Sequence, residues 1–244
     1  MKENTPSPMF VDLFCGCGGM SWGLKQAGFH VLAGVDIDAP SIETYRRNFG
    51  EDAGLPADLT LLTARKFAEH LNLRPEELDL MVGGPPCQGF SKNVPRKHRY
   101  LEDPKNRLVR RFLEYAEYLR PRVIIMENVA EMKNGFEGAY TDEIVERLEV
   151  IGYRVADKVL YAPDYGVPQR RRRAFFFANR LDLPVEFPEP THFLRNAIPV
   201  LFTLGGDYAT VRDAIGDLPP LAHGEGTSPM EYDKPPQTPY QILM

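Results

Sequence analysis

Short apolar runs alternate with stretches of helical periodicity along the first two thirds of the chain. The runs lie at residues 10–14, 29–35, 78–82 and 123–126, and glycines or polar side chains follow each of them. Because these runs are too short for helices and helical stretches separate them, they predict buried strands of a parallel sheet covered on both faces. The sequence therefore indicates a doubly wound α/β fold.

The pattern changes after residue 151. Residues 153–161 and 174–178 form two strand-like runs with no room for a helix between them. This pair predicts one antiparallel strand at the edge of a mostly parallel sheet. Beyond residue 181 proline and turn residues dominate, so we expect one α/β domain over residues 1–180 and a separate segment over 181–244.

Two helix starts are predicted from capping side chains. Ser21 is a candidate N-cap for a helix that exits at Gly28, where glycine suits a left-handed turn. Asp38 followed by Pro40 predicts a second helix that runs toward Gly50.

Composition limits the function classes. The 244 residues carry a formal net charge of -5, which argues against indiscriminate coating of nucleic acid. Three cysteines cannot build a disulfide framework, and Cys15 and Cys17 lack the further ligands that a zinc site needs, so we expect no metal. The sequence shows neither a membrane-length apolar stretch nor a secretory signal, which favours a cytoplasmic protein.

A glycine-rich turn follows the first predicted strand. Gly16, Gly18 and Gly19 allow a ligand to approach the backbone closely, and Asp36 ends the second strand about 20 residues later, where a ribose-binding carboxylate is expected. The combination indicates a nucleoside-containing cofactor. These residues alone do not separate a nicotinamide enzyme from a methyl-transferring one, and a tight turn without a ligand is the alternative.

The segment GGPPCQGFS holds Cys87 immediately after two prolines at the ligand edge of the sheet. A small apolar cysteine in the core is a common alternative but fits poorly in a proline and glycine loop. A papain-like nucleophile needs a histidine base, and none of the five histidines stands in a recognisable context.

Two further polar features lie next to predicted strands: Glu127 follows one strand, and the segment QRRRR precedes another. Glu127 comes after the run 123–126, where a carboxylate could bind or protonate a ring nitrogen, with an ion pair to an arginine as the alternative. In QRRRR an extended backbone would place Gln169, Arg171 and Arg173 on one face, suited to phosphate or base contacts.

Residues 92–111 contain eight basic and two acidic side chains, a local charge of +6 in an acidic chain. We interpret residues 92–106 as a mobile loop that closes on nucleic acid through phosphate contacts. An ordinary solvated loop is the alternative.

Five motifs follow one another between residues 10 and 178: DLFCGCGGMSWG, VDID, GGPPCQGFS, ENV and QRRRR. This succession resembles the DNA cytosine-5 methyltransferase family. The similarity continues more loosely through TVRDAIGDLPPL and YQILM, which resemble the family's lead-in to its target recognition region.

The resemblance implies an S-adenosylmethionine-dependent methyltransferase fold and S-adenosylmethionine as cofactor. It makes residues 1–180 the catalytic, cofactor-binding domain. By position in the motifs, the implied cofactor-binding residues are Phe14, Gly16, Gly18, Gly19, Asp36, Ile37, Asp58, Leu59 and Pro86.

The resemblance also implies covalent catalysis. Cys87 would add to carbon 6 of a flipped-out cytosine in duplex DNA, Glu127 would contact ring nitrogen 3, and Arg171 and Arg173 would lie near the base. The implied DNA-binding residues are Gln88, Ser91, Lys92, Arg96, Lys97, Arg99 and Gln169.

The family normally continues beyond this point with a target recognition domain and two more motifs. We therefore expect a second subunit that carries them, or a truncated piece, with residues 181–244 as the lead-in. The alternatives are an RNA cytosine-5 methyltransferase, a non-catalytic methyltransferase-like subunit that binds nucleic acid, and a nicotinamide oxidoreductase. The last leaves the PPC and QRRRR motifs unexplained.

Overall fold

The computed structural model describes residues 7–86, 107–134, 138–194, 206–226, 230–232 and 234–243. These residues form two compact units: Met1–Val159 with Arg173–Phe187, and Leu160–Arg172 with Pro188–Met244. Within the described part, the helices lack the length and apolar character of a membrane-crossing segment.

A seven-stranded sheet is the framework of the fold. In chain order its strands are β1 (Met9–Leu13), β2 (His30–Asp36), β3 (Gly54–Pro56), β4 (Leu80–Gly83), β5 (Val123–Val129), β6 (Arg154–Tyr161) and β7 (Arg172–Asn179). Their spatial order is β3-β2-β1-β4-β5-β7-β6. The first five strands pair in parallel and β7 runs antiparallel to β5. This confirms the predicted fold class and shows that the reversed strand is the penultimate one.

Helices cover both faces of the sheet. The helices of the first unit are α1 (Gly19–Gln26), α2 (Ala39–Phe49), α3 (Ala64–His70), α4 (Arg107–Leu119), α5 (Glu131–Asn134) and α6 (Ala139–Val150). Side chains of α3, α4 and α6 pack with Val11, Leu13 and Ile124 in the largest core cluster. Met20 and Leu24 of α1 pack on the opposite face, against the cluster of Phe10, Leu80 and Val82.

The two predicted helix starts have different outcomes. Asp38 is the N-cap of α2, because its Oδ2 atom accepts a hydrogen bond from the backbone N–H of Ser41 at 3.0 Å. The prediction that Ser21 caps α1 is wrong. The N-cap is Gly18, in a left-handed conformation, and Ser21 is a fully buried residue inside the helix.

Two of the differences between the predicted and observed strand boundaries bear on the candidate site. Strand β5 continues through Glu127 and Asn128 to Val129, because its last residues still pair with β7. Strand β7 begins at Arg172, so Gln169 and Arg171 lie outside it. The prediction that strand alternation places Gln169, Arg171 and Arg173 on one face is therefore wrong.

The second unit contains the 3-10 helix Ala162–Tyr165, the short strands β8 (His192–Phe193) and β9 (Gly206–Asp207), and the helices α7 (Val211–Ile215) and α8 (Pro239–Leu243). Thr210 caps α7 in a reciprocal capping box with Asp213. Helices α7 and α8 are joined by a hydrogen bond from the Thr238 hydroxyl to the Asp213 carbonyl at 2.6 Å.

Candidate active site

The carboxyl ends of β1 and β2 are linked through Asp36. The Asp36 Oδ2 atom accepts a hydrogen bond from the backbone N–H of Gly16 at 2.8 Å, and its Oδ1 atom accepts one from Asp38 at 3.0 Å. Each carboxylate oxygen keeps a lone pair for another donor, because a carboxylate offers about four acceptor positions. The arrangement can therefore bind a pair of hydroxyl groups beside the glycine-rich turn.

The turn itself has an unusual backbone. Phe14, the residue after β1, has a φ of 61°, a conformation that non-glycine residues adopt rarely and that is found most often at functional sites. Gly16 follows with a φ of 52°, and open space surrounds the position where its side chain would project. Gly19 also faces open space. The backbone at Gly16 and Gly19 is therefore open to a ligand.

Gly18 differs from these two glycines. A methyl group at Gly18 would lie 2.5 Å from the Phe49 ring and 2.9 Å from the Tyr45 ring, and its φ of 92° is unfavourable for other residues. Packing against α2 therefore explains why this position is a glycine.

A buried hydrogen-bonded chain lies under the turn, and the sequence did not reveal it. The Ser21 hydroxyl donates to Asp12 Oδ2 at 2.6 Å and lies 2.8 Å from the Tyr45 hydroxyl. Burial raises the pKa of the Asp12 carboxyl to about 7. The negative charge of Asp36 adds to this shift, and the hydrogen bond from Ser21 opposes it.

The remaining predicted cofactor residues have different surroundings. Ile37, next to Asp36, is 69% exposed and offers an apolar surface. Asp58 accepts a hydrogen bond from the backbone N–H of Thr60 at 2.8 Å, and hydrogen bonding by Thr60 lowers the pKa of its carboxyl. Leu59 packs into the core, whereas Pro86 is exposed.

The last residue of β4 pairs with both neighbouring strands, β1 and β5. In the sheet register Gly83 is paired with Leu13 on one side and with Met126 on the other. The side-chain amide of Asn128 then donates to the Pro85 carbonyl at 2.9 Å. This buried hydrogen bond fixes the first residues of the segment that leads to Cys87.

Glu127 lies beside that segment. A methyl group at Gly84 would lie 3.5 Å from Glu127 Oε2, so the carboxylate approaches the backbone of the PPC motif. Glu127 Oε1 forms an ion pair with Arg173 Nε at 2.8 Å, and the two side chains are 21% and 26% exposed. The two residues are diagonal neighbours on β5 and β7, because Glu127 pairs with Phe175 and Val129 pairs with Arg173. The ion pair between Glu127 and an arginine, which the sequence offered as an alternative, is therefore present.

The other arginines of QRRRR belong to the second unit. Arg171 is exposed, and its carbonyl accepts a hydrogen bond from the Ala162 backbone N–H at 2.9 Å. The Arg172 guanidinium lies 5.5 Å from the centre of the Tyr161 ring, a cation–π contact. Gln169 is exposed in the turn before β7.

Several predicted residues lie outside the described part of the chain: Cys87, Gln88, Ser91, Lys92, Arg96, Lys97 and Arg99. Three arginines from the end of the same basic segment, Arg107, Arg110 and Arg111, are described and belong to α4. Arg110 forms an ion pair with Glu143 at 2.7 Å, and the Arg111 guanidinium donates to the carbonyls of Leu59 and Leu62 at 2.6 and 2.8 Å. Part of the basic charge therefore serves packing within the first unit.

The two cysteines of the glycine-rich turn have different surroundings. Burial raises the pKa of the Cys15 thiol well above its usual range, with the charges of Asp12 and Asp36 adding to the effect, so Cys15 is a neutral core residue. Cys17 is exposed, and its sulfur lies 3.8 Å from the Ser41 hydroxyl. In the described ranges, acidic, histidine and cysteine side chains do not form a group of three or more that could hold a metal ion.

Comparison with known proteins identifies the family. The profile of the family described as C-5 cytosine-specific DNA methylase matches residues 9–227. The chain belongs to this family. It is 38% identical over 224 residues to the type II methyltransferase M1.HphI of Haemophilus parahaemolyticus, an alignment that covers 92% of this chain and 56% of that protein. It is 37% identical to the type II methyltransferase M.AquIA of a Picosynechococcus strain, over 86% of this chain and 88% of that protein.

A solved structure supports the same assignment. The chain superposes with a TM-score of 0.68 and 29% identity on an Escherichia coli crystal structure, assigned as a prophage-encoded DNA modification methyltransferase. That match covers 88% of this chain and 56% of the other. This cytosine methylase chain thus spans little more than half the length of M1.HphI and of the E. coli protein, but most of M.AquIA.

Proposed function

We propose that this chain is the catalytic part of a DNA (cytosine-5)-methyltransferase that methylates carbon 5 of a flipped-out cytosine in duplex DNA. The observation that carries the proposal is the ion pair of Glu127 and Arg173 beside the backbone of Gly84, three residues before Cys87. A nucleophile, a carboxylate and a cation at the carboxyl edge of the sheet suit addition to a polarised ring.

The residues around the glycine-rich turn fit S-adenosylmethionine, the cofactor of this family. Asp36 would accept hydrogen bonds from the ribose hydroxyls, and Ile37 would pack on the adenine. Gly16 and Gly19 would allow the methionine portion to approach the backbone, because both face open space. The cofactor supplies an electrophilic methyl group when it is bound.

Phe14, Gly18, Asp58, Leu59 and Pro86 complete the proposed cofactor-binding set. The half-buried Asp58 carboxylate can accept from the adenine amino group, and Gly18 acts through its packing with α2. The side chain of Leu59 is in the core, so we assign its contribution to its backbone.

Cys87 is the proposed nucleophile. Its thiolate adds to carbon 6 of cytosine, which forms the sulfur–carbon bond and moves electron density to carbon 5. After carbon 5 has gained the methyl group, a water molecule accepts its proton, and the electron pair of that carbon–hydrogen bond re-forms the double bond between carbons 5 and 6. The sulfur–carbon bond breaks and the thiolate leaves.

Glu127 and Arg173 act on the ring during addition. In its carboxylic acid form Glu127 donates a hydrogen bond or its proton to ring nitrogen 3, a type of catalysis that contributes about 10² to 10⁴ in rate. Arg173 holds the Glu127 carboxylate in place through the 2.8 Å contact. We assign Arg171 to the base carbonyl and the DNA backbone.

Duplex DNA is the proposed substrate, and the target base must leave the stack to reach this site. Gln88, Ser91, Lys92, Arg96, Lys97, Arg99 and Gln169 are the proposed DNA contacts, mainly to phosphates. A DNA substrate and bacterial relatives favour the cytoplasm as the location.

A second polypeptide is proposed for target recognition and for the remaining cofactor-pocket motifs. M1.HphI extends far beyond the aligned region, whereas M.AquIA has a length similar to that of this chain. We assign residues 1–180 to the catalytic domain and residues 181–244 to the lead-in. A short neighbouring reading frame with the missing motifs would support this arrangement, and a continuous longer frame would contradict it.

Methyl transfer to defined substrates tests the proposal. The chain, alone and with the polypeptide of the neighbouring frame, is incubated with labelled S-adenosylmethionine and either duplex DNA or RNA. We expect 5-methylcytosine in DNA, loss of transfer in Cys87→Ser, and cofactor binding that remains in that variant. Transfer to RNA alone would assign an RNA methyltransferase. DNA binding without transfer would assign a non-catalytic subunit.

A further inference from the structure

Tyr45 of α2 connects the elements that build the glycine-rich turn. Its side chain is fully buried. Its ring fills the space over two glycines, since a methyl group at Gly34 would lie 2.3 Å from the ring and one at Gly18 would lie 2.9 Å from it. Gly34 is on β2 two residues before Asp36, so the Tyr45 ring sets the spacing between α2, β2 and the turn.

The Tyr45 hydroxyl extends this connection to α1 and β1. Ser21 Oγ forms a hydrogen bond with Asp12 Oδ2 at 2.6 Å. The Tyr45 hydroxyl lies 2.8 Å from Ser21 Oγ, and either oxygen can be the donor in this second hydrogen bond. A buried chain runs from α2 through α1 to β1, and all three of its residues are at most 1% exposed.

The elements joined by this chain carry the proposed cofactor contacts. Ser21 lies in the first turn of α1, directly after Gly18 and Gly19, and the Gly18 carbonyl accepts the hydrogen bond from Trp22 that starts the helix, at 2.8 Å. Gly16, two residues earlier, donates to Asp36. Movement of α1 against α2 would therefore move the turn relative to Asp36.

We propose that Tyr45 and Ser21 are positioning residues of the S-adenosylmethionine site, which hold the glycine-rich turn at the distance from Asp36 that the nucleoside end of the cofactor requires. The inference rests on the function proposed above. Neither hydroxyl needs to touch the cofactor, because both act through the turn and α1.

Calorimetric measurement of the affinity for S-adenosylmethionine tests the inference. Tyr45→Phe keeps the ring over Gly18 and Gly34 but removes the hydroxyl that is hydrogen-bonded to Ser21. The control is Tyr153→Phe, which removes another buried tyrosine hydroxyl, the donor to the Pro121 carbonyl before β5. Both variants should lose similar thermal stability. We expect Tyr45→Phe to weaken cofactor binding about fivefold or more and Tyr153→Phe to change it less than twofold.

The kinetic constants distinguish positioning from a general loss of folded protein. In Tyr45→Phe the KM for S-adenosylmethionine should rise while kcat at saturating cofactor stays within about twofold. A fall in kcat at unchanged KM, or equal cofactor affinity in Tyr45→Phe and wild type, would overturn the inference.

A double-variant cycle provides a second measurement. Because Tyr45 acts through Ser21, Ser21→Ala with Tyr45→Phe should bind the cofactor no more weakly than Ser21→Ala alone. Additive losses would overturn the inference. Failure of the wild-type protein to bind the cofactor, with or without its neighbouring polypeptide, would instead overturn the proposed function.

Discussion

Arg173 of β7 forms a 2.8 Å ion pair with Glu127 of β5 at the place where β5 extends past the last paired residue of β4. Glu127 therefore lies between β7 on one side and the GGPP segment on the other. Such a carboxylate has a fixed orientation and still faces the segment that leads to Cys87.

Loss of Arg173 should affect catalysis more than loss of its neighbour Arg172. We expect Arg173→Ala to reduce kcat by about 10² or more, because Glu127 would lose the contact that orients it. Arg172→Ala removes a cation–π contact with Tyr161 and should reduce kcat less than about fivefold. Initial rates of methyl transfer at saturating cofactor measure both effects, and the reverse order would contradict the assignment.

Alanine at Gly18 and at Gly16 should have different effects. Gly18→Ala adds a methyl group against Tyr45 and Phe49 at a φ of 92°, so we expect about 2 to 4 kcal/mol lower stability in urea unfolding. Gly16→Ala points into open space and should cost only about 1 kcal/mol, while it weakens S-adenosylmethionine binding. Equal stability losses would contradict this division between a packing glycine and a ligand-facing one.

Asp12 should make the folded protein less stable as pH rises. Its carboxyl has a pKa of about 7 in the folded protein because of burial, against 3.8 without it. Between these values the folded state holds a proton that the unfolded chain has released, so the associated stabilisation is complete below pH 4 and disappears as pH approaches 7. Burial raises the pKa of both Cys15 and Tyr45, which therefore stay neutral over this range.

Unfolding of wild type and Asp12→Asn from pH 4 to 7.5 measures this effect. The stability of wild type relative to Asp12→Asn should fall by an amount on the order of 4 kcal/mol over that range. Parallel pH profiles for the two proteins would show that Asp12 does not titrate there. Comparison with the variant removes the contribution of surface carboxylates such as Asp38 and Asp213, which both proteins share.

Local signals predicted the framework of the fold. Apolar runs marked β1, β2, β4 and β5 because a buried parallel strand needs apolar side chains on both faces, whereas the three-residue strand β3 was not predicted. Asp38 was predicted correctly as the N-cap of α2 because the capping bond spans only three residues.

Contacts between distant residues limited the prediction of the site. Ser21 is a good capping residue by type, but its hydroxyl bonds to Tyr45, 24 residues away, and no local pattern contains that contact. Asn128 could be noticed next to Glu127, but its bond to the Pro85 carbonyl spans 43 residues. The sequence suggested an ion pair for Glu127 but could not identify Arg173, because that choice depends on the register of β5 and β7.

Covalent trapping of the target base tests the central claim most directly. The protein is incubated with S-adenosylmethionine, its neighbouring polypeptide where one is needed, and duplex DNA in which cytosine is replaced by 5-fluorocytosine. Its carbon 5 carries fluorine in place of the hydrogen that must leave as a proton, so the adduct cannot break down. Peptide mass spectrometry of the denatured complex should find the nucleotide attached to Cys87, and Cys87→Ser should form no such complex. Full methylation activity in Cys87→Ser, or an adduct on another residue, would contradict the account.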